Sequence, residues 1–185
     1  MPRIRTTLAT FAALAALTTA VAGCSSEDEP EDIDGTVDAA EPSGEESGDA
    51  EAEAELTALY GRYWDAMTAL ENATEMDSAA LDGIATTGVV ETQLGRVSAF
   101  KDNDIHRQGE PVIESVTVAV DGDAATIQSC KSEADWAFLE NGEVNPALLP
   151  EELMEPHPYV VGAERSEDGW LISRIMRNDQ ATISC

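Results

Sequence analysis

From about residue 52 the apolar positions recur at three- and four-residue intervals, through Leu56, Leu59, Tyr60, Tyr63, Trp64, Met67 and Leu70. That spacing predicts a long helix with one buried face. Residues 72–77 interrupt it, and Asp77 is placed to cap a second helix carrying Ala79, Ala80, Leu81 and Ile84. A third helix is predicted from about Val89 through Leu94, Val97 and Phe100 to near Asn103. The period then falls to two. Val112, Val116, Val118 and Val120 alternate with Ile113, Ser115, Thr117 and Ala119, and Asp121-Gly122-Asp123 turns the chain into Ala125, Ile127 and Ser129. Trp136, Phe138 and Leu139 form another extended run, closed by Asn141-Gly142. A proline-bounded insert from Asn145 to Pro158 comes next, with Leu148, Leu149, Leu153 and Met154 available to cover an edge or the open end of a sheet. Tyr159 to Arg165, the turn Glu167-Asp168-Gly169, and Trp170 to Arg177 read as a closing hairpin. Helices first and antiparallel strands afterwards predict an α+β domain, with three N-terminal helices packed on one face of a curved sheet.

The N-terminus has another pattern. Arg3 and Arg5 precede an apolar stretch from Leu8 to Ala20, which leads into Val21-Ala22-Gly23-Cys24. An apolar run of about 14 residues is short for a bilayer core that needs roughly 20 helical residues, so a permanent span is disfavoured. The segment resembles a bacterial lipoprotein signal peptide ending in its lipobox. The resemblance implies cleavage after Gly23 and a diacylglyceryl group on the sulfur of Cys24, whose two chains anchor stably where one would bind reversibly. A plain secretory signal with Cys24 as a bystander is the alternative. Outside the cytoplasm the remaining even pair, Cys130 and Cys185, reads as a disulfide. By the chain-entropy relation such a bridge is worth roughly 4 kcal/mol. Two free thiols or metal ligands are the rival reading, but no His or Cys partners stand near either position.

Residues 24–53 form an acidic linker with Pro30, Gly35, Pro42, Gly44 and Gly48, no Lys or Arg, and only Ile33 and Val37 as sizeable apolar side chains. Too little can be buried to offset chain entropy, so the linker is expected to be disordered and to lift residues 54–185 off the membrane. A neutral coil of this length would span about 30 Å, and like charges extend it further. Calcium binding is the sharper alternative, but the fixed ligand spacing and glycine of an EF-hand loop are missing. The full chain of 185 residues carries a formal net charge of −27, with 37 acidic and 10 basic residues. That excludes nucleic acid as a partner and adsorption to anionic lipid as the anchor.

The order of elements, with Gly109-Glu110-Pro111-Val112 entering a strand, Val118 to Asp123, Ala125, Ile127 and Cys130, then Asp168-Gly169-Trp170 and Cys185, resembles the NTF2-like (SnoaL-like) cone. It resembles in particular the small secreted lipoproteins of actinobacteria that carry such a domain. The resemblance covers roughly residues 54–185 and implies an open pocket between sheet and long helix, without implying a reaction.

Enzymes of this fold place an acid or base, often beside a tyrosine, inside an apolar cone. Asp65 or Asp135 could supply the carboxylate here, although the packing role of the neighbouring face argues against both. His106 and His157 sit in loop-like contexts without the partners that zinc requires, so no metal site is expected. No phosphate loop or nucleophile elbow occurs, and no cofactor is implied. Asn72-Ala73-Thr74 fits the glycosylation triplet, read as chance in a bacterial chain. The expectation is a non-catalytic, lipid-anchored envelope protein. Its domain would bind a small apolar ligand through Tyr60, Tyr63, Trp64, Trp136 and Phe138, or a partner protein. An isomerase- or cyclase-like enzyme acting on a small polycyclic or polyketide-type substrate, and a structural accessory of an envelope complex, are the alternatives.

Overall fold

The computed structural model describes residues 44–185, so the expectations for the signal segment, Cys24 and residues 24–43 lie outside the described residues. Helix α1 runs Gly44–Asn72, and every apolar position of the predicted stripe, Leu56 through Leu70, is buried. The helix starts ten residues before the domain boundary expected from composition. Residues 50–55 alternate Ala and Glu, both strong helix formers, and acidic side chains suit the positive end of a helix. Within residues 48–55 only Ala52 is buried, so this first part of the helix touches the core at a single side chain.

Helix α2 spans Thr87–Lys101, close to the third predicted helix. The second predicted helix is absent. Asp77 does accept a hydrogen bond from the Ala79 amide at 2.9 Å, as a cap would. The next residues, however, form a succession of turns, with Asp82 N–H donating to Ala79 O and Ile84 N–H to Leu81 O, and Gly83 sits at φ +69°. Beyond it the backbone joins the sheet: Ile172 N–H donates to Ile84 O at 2.9 Å, and Thr86 N–H to Ile172 O at 2.9 Å. So short a segment before a glycine gives few helical bonds to offset a costly nucleus, and the sheet bonds win. Leu81 is still fully buried, so the pattern located a core residue but not its backbone.

Seven antiparallel strands complete the domain in two sheets. β1 (Ile105–Gly109), β4 (Trp136–Glu140) and β5 (Glu143–Val144) form one, in the order β1-β4-β5. β2 (Val112–Asp121), β3 (Ala124–Ser132), β6 (His157–Ser166) and β7 (Gly169–Ile175) form the other, in the order β2-β3-β6-β7. The three predicted turns are where the sequence placed them, and Asn141 and Gly142 both adopt positive φ, as a two-residue hairpin loop demands. His106 and His157 are not in loops. They pair in β1 opposite Leu139 and in β6 opposite Lys131. The chain leaves the first sheet for the second at Gly109, where φ is +95° and an added Cβ would stand 1.9 Å from the Asp135 carbonyl oxygen. Only glycine fits there.

One strand departs from its predicted phase. Strict alternation puts Val112 on the same side as Val118 and Val120, yet it is Ile113 that packs with them against the core. Pairing with β3 skips between Glu114 and Thr117, with Ser115 at φ +53°. This bulge inserts a residue, reverses the inward phase and bends the strand, which is part of how the sheet curves. On β3, Ile127, Ser129 and Lys131 share one side, while Gln128 and Cys130 share the other. The insert caps the end of β3, where Glu133 N–H donates to Leu153 O at 2.8 Å and Ser132 Oγ to Met154 O at 2.6 Å. Its ordered parts are a 3-10 turn, Pro146–Leu148, and the single turn α3, Glu151–Met154.

Candidate functional site

Helix α1 is held to the sheet by polar contacts at three levels. Tyr60 Oη is 2.7 Å from Ser129 Oγ, and Tyr63 Oη is 3.4 Å from Tyr159 Oη. At the end of the helix, the Asn72 amide donates to Gly109 O at 2.7 Å and its carbonyl accepts from Trp136 Nε1 at 2.9 Å. Asn72 is thus a structural clasp between α1, β1 and β4. Between the second and third levels lies a cavity of about 300 Å³, with Tyr63, Trp64, Glu71, Arg96, Arg107, Lys131, Glu133, Trp136 and Tyr159 among the residues that wall it.

Of the five residues expected to hold a ligand, Tyr63, Trp64 and Trp136 line this cavity. Tyr60 and Phe138 do not. Tyr60 turns toward Ser129 and borders an open groove beside Glu110 and Ile113, on the α1–β2 side. Phe138 packs against Phe100 at a ring separation of 5.4 Å and lies under the Arg107 guanidinium, 4.1 Å from it. Asp65 and Asp135, the two candidate carboxylates, are exposed and outside the cavity lining. Cys130 and Cys185 are bonded, with Cα atoms 5.6 Å apart. Cys130 lies on the opposite side of β3 from Lys131. Among the described residues no group of three or more His, Cys, Asp or Glu converges as a metal site requires.

The residues missing from the sequence expectation are the charged ones, and they are ordered. Lys131 Nζ is 2.6 Å from Glu133, whose other oxygen is 2.8 Å from Arg107. Arg107 reaches toward Glu71 at 3.8 Å, and Glu71 bonds Arg96 at 2.5 Å. The result is a chain of alternating charge, Lys131–Glu133–Arg107–Glu71–Arg96, that begins and ends on a cation. Arg107 is 4% exposed and Glu71 3%, so its middle is in the protein interior. Arg107 is sandwiched between Trp136, at 3.8 Å, and Phe138, and donates to the Trp136 carbonyl. Such stacking suits a planar, weakly hydrated guanidinium. Two atoms of the chain, Arg107 Nε and Glu71 Oε2, have no hydrogen-bond partner.

Burial alone would raise the Glu133 carboxyl, but Lys131 and Arg107 together outweigh it and hold it below the usual glutamate value. It therefore stays ionised and is a weak base at neutral pH. The phenols move the other way. Burial pushes Tyr63 up to about 12 and Tyr159 well above the ordinary tyrosine value, so both remain hydrogen-bond donors.

Three signals for this site were present in the sequence. Glu71 comes four residues after Met67, on the helical stripe itself. Gln93, also on the cavity wall, falls midway between Val89 and Val97 on the buried side of α2. Lys131 continues the inward alternation of Ile127 and Ser129. A polar residue continuing an apolar period is a candidate for a buried site, since burying it requires a partner.

No protein-family model matches the chain, and no curated protein sequence does. Solved structures similar to it include the Kfla4162 protein of Kribbella flavida, 19% identical over 68% of this chain and 89% of that one, with a TM-score of 0.46. A protein of Streptomyces avermitilis named as a proposed dehydratase of the NTF2-like family is 14% identical over 70% of this chain and 99% of that one, at 0.43. An NTF2-like protein with a cystatin-like fold from Novosphingobium aromaticivorans is 14% identical, covering 79% and 94%, at 0.46.

Proposed function

We propose that this chain is a lipid-anchored protein of the outer face of the cell membrane, whose NTF2-like domain binds a small molecule without transforming it. The observation that carries this reading is the walled cavity between α1, α2 and the sheet, with buried polar atoms still unpartnered on the side chains around it. The same cavity argues against catalysis. Glu133 is held ionised between two cations and the phenols are held protonated, which favours a site lined with donors for binding over one built for acid–base chemistry. The ionic lining also changes the expected ligand. A wholly apolar molecule would leave those charges facing hydrocarbon, so a ligand with a polar end fits better.

The anchor rests on Cys24 and its preceding segment. Cys24→Ala should release the protein to the medium or leave an uncleaved precursor in cell fractionation; unchanged membrane retention of a processed chain would contradict the anchor. Occupancy is tested by native mass spectrometry of the mature protein purified from its host's envelope. A discrete added mass supports ligand binding, and a bare polypeptide mass in repeated preparations contradicts it.

A further inference from the structure

Within the binding role proposed above, we infer that the cavity selects a compact organic monoanion, a carboxylate on a ring-sized apolar body. The five charged side chains around it comprise three cations, Arg96, Arg107 and Lys131, against two anions, Glu71 and Glu133. Because the signs alternate along the chain of contacts, the interior cation Arg107 has an anion on each side. The two end cations have one each. One additional negative charge balances the set, whereas a dianion would overshoot it and a neutral ligand would leave it unbalanced.

The position of that charge is set by the partners of Arg96. Its Nε and one terminal nitrogen are used by Gln93 and Glu71. Its side chain is 41% exposed, so the guanidinium stands at the mouth of the cavity with donors left over. Arg96, Tyr63 and Tyr159 all line the same cavity. The two tyrosine hydroxyls are 3.4 Å apart, long for a hydroxyl pair; one proton is shared between them and the other is free for an incoming acceptor. The remaining terminal nitrogen of Arg96 and this phenol pair together form a carboxylate receptor with one charged and one neutral donor. Lys131 Nζ lies over the same aromatic pair, 4.8 Å from the Tyr159 ring centroid and 5.4 Å from that of Trp64.

The rest of the ligand is bounded by size and lining. A cavity of about 300 Å³ is roughly twice the volume that takes up a benzene molecule. Trp64 and Tyr159, whose rings meet at 61° with centroids 4.9 Å apart, supply an aromatic corner for the apolar body. Selection for an anion is the more telling because the whole chain carries −27: long-range attraction cannot supply it, so the local groups must.

Benzoate and benzamide, nearly equal in shape and different in charge, are the probes. Calorimetric titration of the mature protein at fixed ionic strength should give at least tenfold tighter binding for benzoate. Arg96→Gln should erase that preference, Lys131→Gln should weaken it, and Arg177→Gln, in an exposed pair with Asp179 and outside the cavity lining, should leave it unchanged. Thermal melts of each variant separate loss of binding from loss of fold. Equal binding of the two probes, or a benzoate preference that survives in folded Arg96→Gln, overturns the anion selection. If native mass spectrometry meanwhile shows an occupied cavity, the binding role stands and only its ligand class has failed. If neither probe binds and the purified protein is bare, both fail.

Discussion

Glu133→Ala should destabilise the domain by about 3–5 kcal/mol, the usual consequence of removing one partner from a buried ion pair. Glu133 is 5% exposed and, among the described residues, is the one link between Lys131, at 2.6 Å, and Arg107, at 2.8 Å. Without it two cations face each other in the interior, one of them already stacked between aromatic rings. The contrast is Asp123→Ala at the exposed pair with Arg165, 3.8 Å apart, where about 0–1 kcal/mol is expected. Urea unfolding at neutral pH measures both, and similar losses at the two sites would contradict the buried chain. The same geometry sets the sign of the pH dependence. The folded Glu133 carboxyl lies below the unfolded value of 4.5, so its stabilising contribution is complete above that pH and is lost as pH falls through the folded midpoint. Glu133→Ala should flatten this part of the stability curve.

The second large effect concerns the opposite side of β3. Loss of the Cys130–Cys185 bridge, which closes 55 residues, should cost roughly 4 kcal/mol and lower the melting temperature by roughly 10 °C. The C-terminal segment is otherwise held there by two side-chain bonds of Gln128, which accepts from Thr182 N–H at 2.7 Å and donates to Thr182 Oγ1 at 2.9 Å. Two neutral bonds replace little of that stabilisation. Because Gln128 and Cys130 face away from Ser129 and Lys131, reduction should lower stability while leaving ligand affinity in the folded protein nearly unchanged. A melting curve unaffected by reductant would contradict the first part, and a loss of affinity matching the loss of stability the second.

The fold was legible where one period ran uninterrupted. The stripe from Leu56 to Leu70 marked α1 and its buried face, and three turns rich in Asp, Asn and Gly marked the hairpins. Misreading came where a tertiary contact overrode a local signal. Leu81 lies on a plausible helical spacing, but the backbone at Ile84 and Thr86 bonds to Ile172, far along the chain, which no local pattern reports. The bulge at Ser115 is equally silent, because Val112, Val116, Val118 and Val120 look continuous without it. The site was half legible. Aromatic residues on the stripe pointed to Tyr63 and Trp64, but a search for apolar lining passes over Glu71, Arg107 and Lys131. Lys131 is neutralised by Glu133 two residues on, but Glu71 and Arg107 are tolerable inside only because residues distant in sequence neutralise them, so the assembled charge chain became visible only in three dimensions.

Ligand selection depends on that chain being formed and ionised in solution. The most direct measurement is a carbon-detected NMR titration of the Glu133 carboxyl in the folded protein, assigned by comparison with Glu133→Gln. The charge chain predicts a midpoint below 4.5, shared with the acid loss of stability. A midpoint at or above that value would mean that burial prevails over Lys131 and Arg107, and the cavity would not hold the charges on which ligand selection is built.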